Sequence, residues 1–138
     1  AVGERWWPAY FGKIRDCLKP GGRASIQAIT IDEAAFEKYR RTSDFIREYI
    51  FPGGWIPSLA EAITCMERNG LEVVDVENLR RHYALTLDAW AERFDRRWSE
   101  LHALDPRRFD ERVRRTWRTY LWSCAELFRA SRPQIGLF

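Results

Sequence analysis

The segment Gln27-Ala28-Ile29-Thr30-Ile31, followed by Tyr49-Ile50-Phe51-Pro52-Gly53-Gly54 and by Pro57-Ser58, constrains the fold of this chain more than any other feature. It reads as the carboxyl end of a strand that leaves its sheet for a long excursion and meets a rigid turn. In open α/β sheets, ligands bind outside the carboxyl ends of the strands. A polar Gln27 inside an otherwise apolar strand therefore marks a candidate site, and the rest of the chain reads as its support.

Upstream, Trp7, Tyr10, Phe11, Ile14 and Leu18 recur at helical spacing, and Pro20-Gly21-Gly22 ends that helix. Arg23 to Ile31 reads as a strand covered on both faces, because small or apolar residues occupy both sides. A helix follows from about Glu33 to Tyr49, stopped by Phe51-Pro52-Gly53-Gly54. Ser58-Leu59-Ala60-Glu61 forms a capping box, and Gly70 ends the helix it opens in the left-handed conformation. Leu71 to Val76 reads as a second strand. Helix, strand, helix, strand in this order is a parallel crossover unit, the mark of an α/β fold.

Beyond this point the pattern becomes helical. Thr86 is expected to cap a helix with Leu87, Trp90, Ala91, Phe94, Trp98 and Leu101 on one face. Asp105-Pro106 is expected to open a last helix of roughly 25 residues, to Ala130, striped by Val113, Tyr120, Leu121, Cys124 and Phe128. Gln134 to Phe138 reads as a strand just begun. Two or three strands do not bury both faces of a parallel sheet, and the sequence opens on Ala1-Val2-Gly3 immediately before a helix. The expectation is the carboxyl-terminal portion of a larger α/β domain: 1–76 a helix–strand–helix–strand unit, 77–132 a helical insertion and 133–138 the start of the last strand.

Composition narrows the function classes. Of the 138 residues 46% are apolar, and seven are Trp, so a packed core is expected rather than disorder. No run approaches the roughly 20 apolar residues of a membrane span, and no signal-peptide pattern is present; a cytoplasmic protein is expected. Cys17, Cys65 and Cys124 lie far apart, with no C-x-x-C pair and no clustered His, which points to reduced core thiols and no metal site. His82 and His102 are expected to face solvent. The net charge of +3 is mild. It is concentrated between Asp105 and Phe138, where eight Arg face four acids; that face is either a solvated helix surface or a contact for an anionic partner such as a membrane. No RNA-recognition motif or stacking platform is visible, so no nucleic acid is expected.

Taken together, the residues resemble the cyclopropane-fatty-acyl-phospholipid synthases and mycolic acid cyclopropane synthases, a branch of the S-adenosylmethionine-dependent methyltransferases. The resemblance runs through Ala1-Val2-Gly3, Trp7-Pro8-x-Tyr10-Phe11, Leu18-Lys19-Pro20-Gly21-Gly22, Gln27-x-Ile29 and Tyr49-Ile50-Phe51-Pro52-Gly53-Gly54. It continues through Leu85-Thr86-Leu87, Trp90-x-x-Arg93-Phe94 and Tyr120-Leu121-x-x-Cys124-x-x-x-Phe128-Arg129, so it covers almost the whole chain.

The resemblance implies the carboxyl-terminal part of a Rossmann-like class I methyltransferase, with a helical insertion before the last strand. This chain would supply the fifth and sixth strands and the first residues of the seventh, which lies antiparallel between them. The S-adenosyl-L-methionine site would sit mostly upstream, so this segment alone is expected to be inactive. The implied reaction transfers a methyl group to the cis double bond of an unsaturated phospholipid acyl chain and closes a cyclopropane ring. Aromatic faces stabilise the intermediate cation, and the base resembles a bound bicarbonate. Its ligands, carried onto this sequence, are Gln27, Ile29 and Tyr83, and Gln27 stands where the family has His. A Gln donates an amide N–H to an anion but does not change charge as imidazole does, so a methyl-branched product is a variant of the same reading.

Phe51 and Trp55 are candidates for the lipid tunnel. Each candidate also has a structural reading: Gln27 as a strand polar group satisfied locally, Tyr83 as a packing residue, and Phe51 and Trp55 as turn anchors. Peripheral contact with the inner face of the membrane is expected through Arg107, Arg108, Arg114 and Arg115, with the oligomeric state open. The rival readings are a small-molecule N-methyltransferase of the same fold and a non-catalytic helical interaction module.

Overall fold

The computed structural model describes residues 3–130 and 135–137. A 3-10 turn at Glu4–Trp6 leads into α1 (Trp7–Cys17), with Pro8 in the first turn, where its missing N–H costs nothing. Helix α3 (Leu59–Arg68) packs against α1. Its cap, Ser58, is fully buried and accepts the Glu61 N–H at 3.2 Å. At the other end Gly70 takes φ +79°, and the Arg15 guanidinium of α1 donates to the Asn69 carbonyl at 3.2 Å.

The helix expected over Glu33–Tyr49 is two pieces. Helix α2 (Glu33–Arg41) is capped by Asp32, which accepts the Ala34 N–H at 2.9 Å. It stops at Thr42, where the chain turns extended. Asp44 then accepts the N–H groups of Ile46 and Arg47 at 2.8 and 3.0 Å and opens a π-helical turn, Ile46–Ile50. Thr42-Ser43-Asp44 offers side-chain oxygens that compete with backbone acceptors, and this local competition breaks the stripe.

The expected strand Arg23–Ile31 shortens to β1 (Ile29–Ile31), paired antiparallel with β2 (Ile135–Leu137) in the register Ile29 with Leu137 and Ile31 with Ile135. Thus the last strand pairs in the expected antiparallel sense; Gln134 and Phe138, like Ala1-Val2 of the opening motif, lie outside the described residues. On its other edge Ile31 donates to the Pro57 carbonyl at 2.8 Å. The strand expected at Leu71–Val76 is not one: 71–79 carries no ladder, and Val74 is 68% exposed. A β-rich sequence forms a strand only with a neighbour to take its backbone hydrogen bonds, and among the described residues none runs beside it. The parallel crossover is accordingly not formed as a two-strand ladder.

Helix α4 (Arg80–Arg96) and α6 (Glu111–Arg129) make the larger core. Ala84, Leu87 and Ala91 of one face Leu121, Cys124, Ala125 and Phe128 of the other, all buried. The alanines let the two backbones approach closely, and long side chains fill the gaps between them. Two details differ from the sequence reading. Thr86 is not a cap, because the helix begins about two turns earlier, with Asn78 accepting the Arg80 N–H at 3.0 Å; the Thr86 hydroxyl instead donates to the His82 carbonyl. Asp105 caps only a tight turn, accepting from Arg107 and Arg108, while Asp110 caps α6 by accepting from Val113 at 2.9 Å. The last helix is therefore 19 residues long. Between them lies α5 (Trp98–Leu104), set off from α4 by a break at Arg97.

All three cysteines are free, but Cys17 is exposed and is not a core thiol. His82 and His102 are exposed. Among the described residues no group of three or more His, Cys, Asp or Glu is arranged to hold a metal. No helix among them is long and apolar enough to cross a membrane.

Candidate functional site

The candidate residues separate into two groups. Ile29 and Tyr83 both pack on the α4–α6 core, joined there by Ile46 of the π-helical turn and by Tyr120. Tyr83 lies near the start of α4, its ring edge-on to Phe128 at 5.2 Å between centroids and to Trp90 at 5.9 Å. Phe51 reaches the same wall from the turn, meeting Tyr120 edge-on at 5.8 Å, and Tyr120 meets Trp117 at 5.7 Å. Phe51 is held by its N–H to the Ile46 carbonyl and by the Gly54 N–H to its own carbonyl, both 2.8 Å. A Cβ on Gly54 would fall 2.8 Å from the Phe51 oxygen, so this turn demands glycine.

Trp55 belongs elsewhere. Its ring contacts Trp7 at 4.8 Å and Phe36 at 5.7 Å, in an aromatic cluster between α1 and α2 that also includes Phe11. Its indole N–H is buried and donates to nothing among the described residues. Gln27 is exposed, two residues before Ile29, and its amide makes no hydrogen bond among the described residues.

Electrostatically the wall is neutral. Burial raises the Tyr83 phenol above its ordinary range, and the neighbouring Cys124 acts in the same direction. Burial, then Cys124 and Tyr83, push Tyr120 up to about 12. The Cys124 thiol is pushed up to about 11 by burial and then by Asp44. At neutral pH this arrangement offers two phenols, a thiol and six aromatic rings, with no thiolate nucleophile. It suits an apolar chain and a transient positive charge.

Tyr120, Cys124 and Ile46 were not assigned a role by sequence reasoning. The first two sit in a quoted motif, but a helical stripe does not distinguish core from site. Among the described residues the glycines with positive φ, Gly21, Gly53 and Gly70, close turns and helix ends.

The family described as mycolic acid cyclopropane synthetase matches residues 1–137. The chain is 43% identical over 122 residues to a tuberculostearic acid methyltransferase, UfaA1, of Mycobacterium tuberculosis, covering 88% of this chain and 28% of that protein. It is 36% identical over 128 residues to a probable fatty acid methyltransferase of Pseudomonas putida, covering 92% of this chain and 32% of that one. Among solved structures it superposes on the cyclopropane synthase MmaA2 from Mycobacterium tuberculosis with a TM-score of 0.80 at 27% identity, covering 98% of this chain and 48% of that chain. It superposes on the mycolic acid cyclopropane synthase CmaA1, complexed with SAH and CTAB, with a TM-score of 0.76 at 28% identity, covering 99% and 50%. The chain thus spans about a third or less of the length of these curated relatives and about half of the solved structures. It belongs to the mycolic acid cyclopropane synthetase family.

Proposed function

We propose that the protein containing this chain transfers a methyl group from S-adenosylmethionine to the cis double bond of an unsaturated phospholipid acyl chain. This chain would then be the carboxyl-terminal part of a Rossmann-like class I methyltransferase domain. The observation that carries the reading is the neutral aromatic wall of Tyr83, Phe128, Tyr120 and Phe51, in a chain whose relatives are named for fatty acid and mycolic acid substrates. The alkene π-electrons take the sulfonium methyl, which leaves S-adenosylhomocysteine and a carbocation. Loss of a proton from the new methyl group to a base closes a cyclopropane. Hydride addition to the cation, from a separate reductant, gives a methyl branch instead.

Within this chain, Phe51, Tyr83 and Tyr120 present ring faces to the cation and keep water away. Gln27, Ile29 and Tyr83 are proposed as this chain's contribution to a bicarbonate pocket, with the exposed Gln27 amide as a donor to the anion. The Gln also favours the methyl-branched outcome, since it does not relay a proton, and the UfaA1 relative is named a methyltransferase rather than a cyclopropane synthase. A bilayer substrate implies peripheral membrane contact, for which the arginines at Arg107, Arg108, Arg114 and Arg115 are the first candidates.

The test is transfer of an isotope-labelled methyl group from S-adenosylmethionine by the full-length protein. Label in the lipid fraction of unsaturated liposomes, and none on soluble amines, supports the lipid reading. Label on amines alone overturns it in favour of a small-molecule methyltransferase.

A further inference from the structure

The break at Arg97 leaves a groove along one side of α4 and α5, lined by Trp90, Arg93, Phe94, Arg97, Glu100, Leu101 and Leu104. Trp90, Phe94, Arg97, Leu101 and Leu104 recur in steps of four and three, so they form one stripe, apolar except at Arg97, that continues across the break. This stripe borders the face buried against α6, which is Ala84, Leu87 and Ala91, and its Phe94 packs against that core. Its two ends are exposed, Leu104 at 76% and Trp90 at 43%, while Phe94 and Leu101 are half-buried.

We infer that this elbow is the docking surface for an anionic phospholipid bilayer, a refinement that rests on the lipid reading above. An indole, a phenyl ring and two leucines beside arginines are the composition of an interfacial helix, which sinks its apolar side chains below the headgroups and holds the phosphates with its cations. The charges favour an anionic partner. Arg97 is spent on Glu100, through Nε and Nη2 at 2.9 and 2.7 Å, and Asp95 faces Arg118 of α6 at 3.1 Å. Arg93 makes no ion pair among the described residues, and Glu92 projects from the opposite side of the helix, about 160° from Trp90.

Of the four arginines first considered, Arg114 is engaged over the Trp98 ring at 5.7 Å and with Glu111 at 3.7 Å. Arg115 donates to the Glu111 carbonyl. Arg107 and Arg108 remain exposed in the turn that follows Leu104. The elbow also touches the candidate site, because the Trp90 ring that lines it meets Tyr83. Docking would therefore bring the bilayer to the mouth of the aromatic wall.

The experiment uses the full-length protein and sedimentation with vesicles of phosphatidylcholine, with and without phosphatidylglycerol. Leu104→Glu and Arg93→Glu alter exposed side chains and should melt with the wild type, yet each should weaken binding to the anionic vesicles by about tenfold. Leu85→Glu is the control. That residue is 65% exposed, lies about 140° around α4 from Trp90 and should bind as the wild type does. Unchanged binding in both elbow variants, or equal loss in the control, overturns the assignment. So does a wild-type dimer that Leu104→Glu dissociates without changing vesicle binding, which would make the elbow an interface with a second copy. Methyl transfer to detergent-dispersed lipid, read on the same proteins, separates the two claims. Transfer that persists while binding ignores the elbow sinks only the docking surface. Elbow-dependent binding without any transfer sinks only the catalytic reading.

Discussion

Arg80, in the first turn of α4, donates through Nε to the carbonyl of Phe128 in the last turn of α6, 2.8 Å away. Its guanidinium also reaches the carbonyls of Leu127, at 3.1 Å, and Ala130. One side chain thus satisfies the open end of a helix and sets a positive charge at its negative pole. It also fixes the spacing between Phe128 and Tyr83, one turn along from Arg80. Replacing Arg80 with Met should destabilise the protein by about 1.5–3 kcal/mol, the range for hydrogen bonds to charged groups, with Lys recovering part of the loss. Chemical denaturation of the two variants measures this.

The Tyr83 ring and its hydroxyl are predicted to do different work. Tyr83→Phe keeps the edge-on contacts with Phe128 and Trp90, so its stability should change by less than about 0.5 kcal/mol while methyl transfer falls roughly tenfold or more. Tyr83→Ala removes the ring and should cost about 2–4 kcal/mol. Full activity in Tyr83→Phe would make this residue a packing element alone.

The cysteines should differ sharply towards a thiol reagent. Cys17 is exposed and should react first, whereas Cys124 is buried with its thiol pushed up to about 11 and should react only as the protein unfolds. The same shift predicts a pH dependence. An unfolded Cys or Tyr loses its proton near pH 9 or 10, while folded Cys124 and Tyr120 hold theirs to about 11 and about 12. Their contribution to stability is therefore complete below about pH 9 and is lost as pH rises towards 12. Cys124→Ala should flatten the lower part of that decline in melting temperature.

Legibility in the sequence followed the locality of the signal. Ser58, Gly70 and the helical stripe of Trp7, Phe11 and Ile14 act within a few residues, and α1 and α3 appear where their patterns put them. The α4–α6 core was readable in part: Leu87, Ala91, Leu121, Cys124 and Phe128 are buried as their stripes put them, whereas Ala84 lies before the expected start of its helix and Trp90 of the same stripe is exposed. Leu71–Val76 was not readable, because a strand is a property of its neighbours as much as of its own residues. The break at Thr42-Ser43-Asp44 and the early start of α4 at Arg80 turn on which of several Asx and hydroxyl side chains captures a backbone N–H, a choice that periodicity does not record. The site was legible in part. Ile29 and Tyr83 share the α4–α6 core, but nothing in the spacing separates Phe51, which reaches Tyr120, from Trp55, which packs with Trp7 and Phe36.

The central claim is methyl transfer to an acyl double bond, and mass spectrometry of acyl chains tests it most directly. The full-length protein would be incubated with S-adenosylmethionine and cis-unsaturated phospholipid, with and without a reductant. The account predicts chains that gain one methylene unit and lose the double bond, either as a ring or, with the reductant present, as a saturated methyl branch. Acyl chains that keep their double bonds and their masses under both conditions would contradict it.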